Sequence, residues 1–334
     1  MKKYNICICG GGNISHALAG MLSKREHTIN IFTRQPDKWN YQITTNINTS
    51  TKKSTFISHL NKISDNPKIV LKNIDIVIIA SPIMAYDDIL YKIKPFLKPN
   101  MVLICIPGRL FINSIQKNNI KNNIITFLRT PYICLINEYG KSVNINGFIH
   151  DKINYWSNFN KSEEIITNLF DFNNNKLNNH LSIDLVNSNL LLHSSRLYVL
   201  FHKNKYYDKE PYFYKDWCIE SSELLILCDI ELHTLINKIN ETIDNKIFVQ
   251  DILIHYESFD KISLTNKIKT IFNYEKKSPI IYKNKKYYAN IDNRYFQEEI
   301  IALKFVLELS KKYQIKLNNI EKIYESFIDL QNNY

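Results

Sequence analysis

Residues 4–15 read YNICICGGGNIS, an apolar run that ends at three consecutive glycines and leads into an amphipathic stretch. The run predicts a buried strand over Tyr4–Cys9, and the stretch after the glycines predicts a helix over Ile14–Lys24. A glycine-rich turn between a strand and a helix is typical of a dinucleotide site. The first glycine allows the tight bend, and the third allows the backbone to approach a pyrophosphate at the helix N-terminus. The predicted phosphate-binding residues are Gly10, Gly12, Asn13 and Ile14.

The end of the second predicted strand, Thr28–Phe32, indicates which dinucleotide binds. NAD sites place an Asp or Glu there, which accepts hydrogen bonds from the ribose hydroxyls. Here the strand is followed by Thr33 and Arg34, with Lys38 one turn further on. An arginine can instead donate a charge-assisted hydrogen bond to a 2′-phosphate, worth about 1.5–3 kcal/mol. We therefore expect the cofactor to be NADP(H) rather than NAD(H), with these three residues at its adenosine end.

The rest of the first half alternates short apolar runs with amphipathic stretches, which predicts a parallel sheet covered by helices on both faces. Sheets of this kind bind ligands beyond the carboxyl ends of their strands. Ser81 and Pro82 follow the predicted strand Ile74–Ala80, and Pro107 follows the end of the strand that begins at Val102. These three residues are therefore candidates for contact with the cofactor, although simple turns that end the strands would give the same pattern.

The alternation stops after Pro131. The runs Cys134–Asn137 and Ser142–Ile149 flank the sequence EYGK and predict a hairpin. An Asn-rich stretch, residues 171–180, is the candidate domain boundary, and the sequence beyond it predicts mainly helices. The expected fold is α/β, with a Rossmann-type doubly wound parallel sheet over residues 1–178 and a mostly α-helical substrate domain over residues 179–334.

Charge and cysteine content exclude several kinds of partner. The net charge is +11, but the lysines are scattered and no nucleic-acid motif occurs, so no nucleic-acid partner is expected. The six cysteines lack zinc-site spacing, and no structural metal is predicted. No apolar run approaches the ~18 residues of a bilayer span, and the N-terminus does not resemble a signal peptide. We expect a cytoplasmic protein without a membrane partner, and a homodimer is left open.

A hydride-transfer enzyme also needs a proton carrier, and histidine is the usual one because its pKa lies near working pH. Of the nine histidines, His193 is distinctive, because a helix over residues 184–201 places Asn189, His193 and Arg196 on one face. That face offers an acid/base, an amide and a cation, although a core histidine would give the same pattern. A second cluster, DNRYFQEE at 292–299, combines acids and a cation, and ordinary helix N-terminal chemistry would also explain it.

An ordered set of segments makes the chain resemble the octopine/nopaline (opine) dehydrogenase family over nearly its whole length. The segments are CGGGNISHALAGML (9–22), INIFTRQPDKW (29–39), SRLYVLF (195–201), DWCIESSELL (216–225), HYES (255–258) and RYFQEE (294–299). The resemblance implies a Rossmann domain followed by a helical domain. It also implies reductive condensation of the amine of an amino acid with an α-keto acid, driven by a reduced nicotinamide cofactor.

The resemblance assigns roles in the second half. The family's catalytic histidine falls on His193, and its carboxylate-binding arginine falls on Arg294. The aspartate that pairs with the histidine falls on Glu299. The amine and the keto acid would condense to an imine, which hydride reduces, with His193 as general acid/base. Arg294, Arg196 and Asn189 would hold the substrates, whose carboxylates the arginines bind.

Two positions depart from the family pattern, and other activities remain open. Glu299 is one methylene longer than the expected aspartate, so Glu298 or Asp292 could serve instead. Leu135 stands where an arginine for an anionic group is expected. One alternative is a ketopantoate-reductase-like keto-acid reductase, and another is a non-catalytic NADP-binding sensor. Within the main interpretation, the amine could also be a larger, carboxylate-rich metallophore precursor.

Overall fold

The protein is described by a computed structural model that covers residues 2–148, 152–271 and 276–332, and it divides into two compact units. The first unit is Met1–Asp184 and the second is Leu185–Tyr334. The first is built on a mostly parallel sheet with helices, and the second is mainly helical, so the predicted fold class is confirmed. The division into functional domains at 178/179 stays a prediction.

The main sheet of the first unit has eight strands. Six neighbouring strands are parallel and follow the order β8-β7-β6-β1-β2-β5, which is the doubly wound order with its switch point between β1 and β6. At the β8 edge, β11 adds an antiparallel strand, and β12 pairs with β11. The strands are β1 (Asn5–Cys9), β2 (Thr28–Phe32), β5 (Lys62–Ser64), β6 (Ile76–Ile79), β7 (Val102–Cys105), β8 (Asn123–Phe127), β11 (Ile153–Ser157) and β12 (Asn174–Lys176).

Helices cover this sheet because its central strands are apolar on both faces. All four residues of β6 and of β7 are buried. The predicted strands Tyr4–Cys9, Thr28–Phe32 and Ile74–Ala80 and the predicted helix Ile14–Lys24 are present, with ends shifted by at most two residues. The helices of the first unit are α1 (Asn13–Lys24), α2 (Pro67–Val70), α3 (Tyr86–Ile93), α4 (Phe111–Lys117), α5 (Ser162–Leu169) and α6 (Leu181–Asp184).

A second sheet of four strands, in the order β4-β3-β10-β9, packs on α1. The predicted hairpin supplies two of its strands, although Ile149 lies outside the described residues. A Cβ on Gly20 would lie 2.0 Å from Thr45 Oγ1, so this glycine allows helix and sheet to approach closely. The strands are β3 (Gln42–Asn48), β4 (Lys53–His59), β9 (Tyr132–Glu138) and β10 (Ser142–Phe148).

The second unit packs its long helices against one another, with α7 and α8 in contact and α11 and α12 beside them. A small hairpin turns at Asn284 and Lys285, which both have positive φ, as a tight hairpin turn requires. Throughout the described ranges, we find no helix with both the length and the apolar character needed to cross a membrane. The elements are α7 (Asn187–Phe201), α8 (Ile219–Asn240), α9 (Ile252–His255), α10 (Lys261–Lys269), β13 (Ile280–Lys283), β14 (Lys286–Ala289), α11 (Arg294–Tyr313) and α12 (Asn318–Asn332).

Candidate functional site

The glycine turn after β1 has the geometry of a phosphate cradle. Gly10 has a φ of +145°, and a Cβ there would lie 2.4 Å from the Ala80 carbonyl oxygen. Ser15 Oγ donates a hydrogen bond to the same carbonyl at 3.1 Å, which ties the first turn of α1 to the end of β6. A Cβ on Gly12 would meet no atom of the described residues within 4 Å, and the first turn of α1 has no acidic residue. Open space at an unopposed helix N-terminus fits a dinucleotide pyrophosphate.

The other predicted phosphate-loop and adenosine residues lie around this turn. Asn13 Oδ1 accepts a hydrogen bond from the Ile136 amide at 2.9 Å, so its side chain contacts β9. Thr33 is buried at the end of β2, whereas Arg34 and Lys38 are exposed. The two cations are therefore accessible to an anion beside β2.

The loops after β6 and β7 also reach this edge of the sheet. Ser81 Oγ donates to the Cys9 carbonyl at 3.3 Å, which joins this loop to the end of β1. Pro82 comes directly after it and is exposed. The Pro107 carbonyl accepts a hydrogen bond from the Tyr86 hydroxyl at 2.9 Å. The predicted cofactor residues thus share the carboxyl edge of one parallel sheet, and their contact with a cofactor stays a prediction.

His16 links the glycine turn to the second sheet, a connection that sequence reasoning missed. Its Nδ1–H donates to the Gly12 carbonyl at 2.9 Å, and its Nε2 accepts from the Gly140 amide at 2.7 Å. Burial lowers the pKa of His16 to about 4, which keeps the imidazole neutral and able to accept that bond at pH 7. Its ring lies 4.1 Å from the Trp39 ring and 5.2 Å from the Tyr139 ring. No sequence spacing reveals a contact across 124 residues.

In the second unit, the structure brings His193 of α7 and Glu299 of α11 together. The distance between His193 Nδ1 and Glu299 Oε1 is 3.2 Å, and the two side chains are 14% and 2% exposed. Phe213 and Tyr295 flank the imidazole, with ring distances of 5.7 Å and 4.4 Å. A carboxylate beside Nδ1 fixes the orientation of the ring, which suits a general acid/base.

The other charged residues of the 292–299 cluster lie elsewhere. Glu298 lies beside Arg294, with 3.6 Å between Oε2 and Nε, and the Arg294 side chain is 62% exposed. Asp292 is exposed. Lys276 contacts Tyr295 through both its hydroxyl and its ring, which adds a cation near His193 that sequence reasoning missed. Of the three acids considered, Glu299 is therefore the one that the structure pairs with His193.

The remaining residues of the α7 face differ in environment. Asn189 is exposed one helical turn before His193, whereas Arg196 is only 2% exposed. Arg196 Nε donates to the Phe213 carbonyl at 2.9 Å, and Nη2 donates to the Tyr212 carbonyl at 3.1 Å. Its guanidinium thus holds the loop that carries Phe213 beside the histidine. Substrate binding by Arg196 and Asn189 stays a prediction.

We expect the Arg196→Lys variant to lower the melting temperature of the protein. Lysine cannot reproduce the two fixed guanidinium bonds, and each buried carbonyl left without a partner costs about 1–3 kcal/mol. Thermal denaturation with and without substrate, together with KM, measures the effect. If the melting temperature were unchanged and only KM rose, Arg196 would be a substrate ligand and not a support for the loop.

Comparison with known proteins identifies the two parts of the chain. Residues 176–329 match the family described as NAD/NADP octopine/nopaline dehydrogenase, alpha-helical domain. The helical unit is thus similar to the helical domain of opine dehydrogenases. Residues 5–127 match the family described as NAD-dependent glycerol-3-phosphate dehydrogenase N-terminus, so the first part of the chain is similar to a different dehydrogenase family.

Curated relatives agree with the similarity to opine dehydrogenases. The chain is 30% identical over 156 residues to tauropine dehydrogenase of Arabella iricolor, and 27% identical over 162 residues to opine dehydrogenase of Haliotis discus hannai. These matches cover 42% and 43% of this chain and only 39% and 40% of the relatives' own lengths. The predicted resemblance to opine dehydrogenases is confirmed.

Solved structures show the fold over nearly the whole chain. A structure of octopine dehydrogenase with NADH and L-arginine matches 99% of this chain and 90% of its own, with a TM-score of 0.86 and 18% identity. Yersinopine dehydrogenase bound to NADP+ matches 98% and 90%, with a TM-score of 0.74 and 11% identity. A ketopantoate reductase from Ralstonia eutropha matches 98% and 99%, with a TM-score of 0.66 and 10% identity.

Proposed function

We propose that the protein is an NADP-dependent oxidoreductase of the opine dehydrogenase type, which reductively condenses the amine of an amino acid with an α-keto acid. The observation that carries this proposal is the buried His193–Glu299 pair within an octopine/nopaline dehydrogenase helical domain. Octopine dehydrogenase, which shares this fold, has been solved with L-arginine and with pyruvate. An amino acid and a keto acid are therefore the substrate classes to test first.

Residues of the first unit would bind the cofactor, and residues of the second would bind the substrates and exchange a proton with them. A bound reduced dinucleotide would supply the hydride, held by the glycine turn and by the residues that follow β2, β6 and β7. His193 would exchange a proton with the substrates, and Glu299 would stabilise the imidazolium. The exposed Arg294 would bind a substrate carboxylate and so restrict its position.

The test is NADPH oxidation over a matrix of amines and α-keto acids, followed by mass spectrometry of the product. The proposal requires that oxidation depends on both substrates and that the product mass equals amine plus keto acid, minus one oxygen atom. Oxidation with a keto acid alone would favour a ketopantoate-reductase-like activity. Binding of NADPH without turnover across the matrix would favour a non-catalytic sensor. Turnover restricted to carboxylate-rich amines would identify a metallophore-type enzyme.

The Arg34→Ala variant is expected to remove most of a preference for NADPH over NADH. A charge-assisted hydrogen bond to the 2′-phosphate is worth about 1.5–3 kcal/mol, which corresponds to about a 10- to 100-fold loss in NADPH affinity. NADH lacks that phosphate, so its dissociation constant in the same variant is the internal control. Fluorescence titration of both reduced dinucleotides measures the change. A wild-type protein that binds NADH more tightly than NADPH would contradict the assignment.

A further inference from the structure

The turn between β9 and β10 brings a tyrosine hydroxyl to the glycine turn. A Cβ built on Gly11 would lie 2.5 Å from the Tyr139 hydroxyl oxygen and 3.3 Å from Thr33 Oγ1. Gly11 is not among the residues with positive φ, so its backbone conformation alone would allow a side chain. The two hydroxyl groups occupy the space on this side of Gly11, between the glycine turn and the end of β2.

The position of Tyr139 is fixed by packing and by the backbone. Its ring packs edge-on against the rings of His16 and Trp39, at 5.2 Å and 6.1 Å. The next residue, Gly140, has a φ of +73°, and a Cβ there would lie 2.0 Å from the Lys38 carbonyl oxygen. The Gly140 carbonyl also accepts a hydrogen bond from the Asn40 amide at 3.0 Å. The turn is thereby attached both to α1 and to the loop that carries the two exposed cations.

The hydroxyl itself is available for a ligand. Tyr139 is half-buried, and its hydroxyl has no hydrogen-bond partner among the residues that the structure describes. A phenol can donate one hydrogen bond and accept another, so it can serve a phosphate or a ribose hydroxyl. Arg34 and Lys38, on the loop to which the turn is attached, are exposed cations that complement the same anion.

We propose that Tyr139 is a cofactor-binding and specificity-determining residue whose hydroxyl donates a hydrogen bond to the 2′-substituent of the adenosine ribose. The proposal depends on the proposed dinucleotide function and adds a ligand from the second sheet to it. It also assigns a reason to the middle glycine of the triplet, because a side chain at Gly11 would displace the Tyr139 hydroxyl. The expected substituent is the 2′-phosphate of NADP(H), and the 2′-hydroxyl of NAD(H) offers the same contact more weakly.

The first test compares Tyr139→Phe with Tyr91→Phe, a matched control on α3 where the tyrosine is 75% exposed. Fluorescence titration gives dissociation constants for NADPH and NADH, and calorimetry gives that of adenosine 2′,5′-bisphosphate. A hydrogen bond to a charged group predicts about a 10-fold or larger loss of NADPH and bisphosphate affinity in Tyr139→Phe, and a smaller loss for NADH. The control should match the wild type.

The outcomes separate this inference from the proposed function. Wild-type affinity for all three ligands in Tyr139→Phe would overturn the role of Tyr139 while leaving the dinucleotide site intact. A wild-type protein that binds neither NADPH nor NADH would overturn both. An equal loss of affinity for the two dinucleotides would support the contact and assign it to the 2′-oxygen and not to the phosphate.

A double-mutant cycle with Gly11→Ala tests the geometry independently of turnover. The alanine methyl collides with the tyrosine hydroxyl, so Gly11→Ala alone should weaken NADPH binding and lower the melting temperature. In a Tyr139→Phe background the remaining neighbours of that methyl are Thr33 Oγ1 at 3.3 Å and the ring carbon at 3.5 Å, so the alanine should have a much smaller further effect. Fully additive effects on both quantities would contradict the placement of the hydroxyl.

Discussion

His193→Gln is expected to reduce amine-dependent NADPH oxidation by about 10²–10⁴-fold, the usual contribution of a positioned acid/base. Glutamine retains a polar side chain that can contact Glu299, so the variant should fold and should bind NADPH as the wild type does. The loss should therefore appear in kcat, not in the dissociation constant of the cofactor. Steady-state kinetics and fluorescence titration measure the two quantities separately.

Glu299→Gln should have a smaller effect on the same reaction. The amide keeps a hydrogen bond to the imidazole but removes the charge that stabilises the imidazolium, a loss of about 10- to 100-fold in kcat. Glu308→Gln is the matched control, since Glu308 lies on the same helix and is exposed. If His193→Gln turned over within a few-fold of wild type, the proposed acid/base role would be wrong, whatever Glu299→Gln did.

In the first unit, the strands that could be predicted from the sequence are those made of continuous apolar runs. The apolar runs of β1, β6 and β7 are buried on both faces, and the glycine turn marks the start of α1, so the sheet and the cofactor edge could be placed from sequence. The strands β3 and β4 were missed because Thr, Asn and Ser fill many of their positions and little apolar alternation remains. The helix α10 was missed as well, since only a narrow side of it is apolar.

The sequence could predict which site residues share a helix, but not which residues of different helices meet. The spacing on α7 singled out His193, but it could not choose its carboxylate, because Glu299 lies 106 residues away and two other acids were near it in sequence. The same spacing placed Arg196 on the open face, yet the loop with Tyr212 and Phe213 covers its guanidinium. The burial of this guanidinium by a distant loop depends on tertiary packing, and helical periodicity gives no information about such packing.

Gly10→Ala is the variant expected to damage the first unit most. At a φ of +145° an alanine is strained, which costs about 1–3 kcal/mol, and its Cβ would lie 2.4 Å from the Ala80 main-chain oxygen. For a unit of this size such a loss lowers the melting temperature of the cofactor-free protein by about 2–12 °C. NADPH affinity should fall as well, because the backbone amides of the displaced turn would no longer converge on the expected position of the pyrophosphate.

Gly12→Ala should separate the effect on stability from the effect on NADPH affinity. Across the part of the chain that the structure describes, a Cβ at Gly12 meets no atom within 4 Å, and the φ of Gly12 is an ordinary −87°. The cofactor-free variant should therefore melt as the wild type does. The same methyl would enter the open space at the N-terminus of α1, where the pyrophosphate is expected, so NADPH affinity should still fall. Because the Gly12 variant differs from wild type only when the dinucleotide is present, unchanged NADPH binding in it would mean that the cofactor does not lie over this turn.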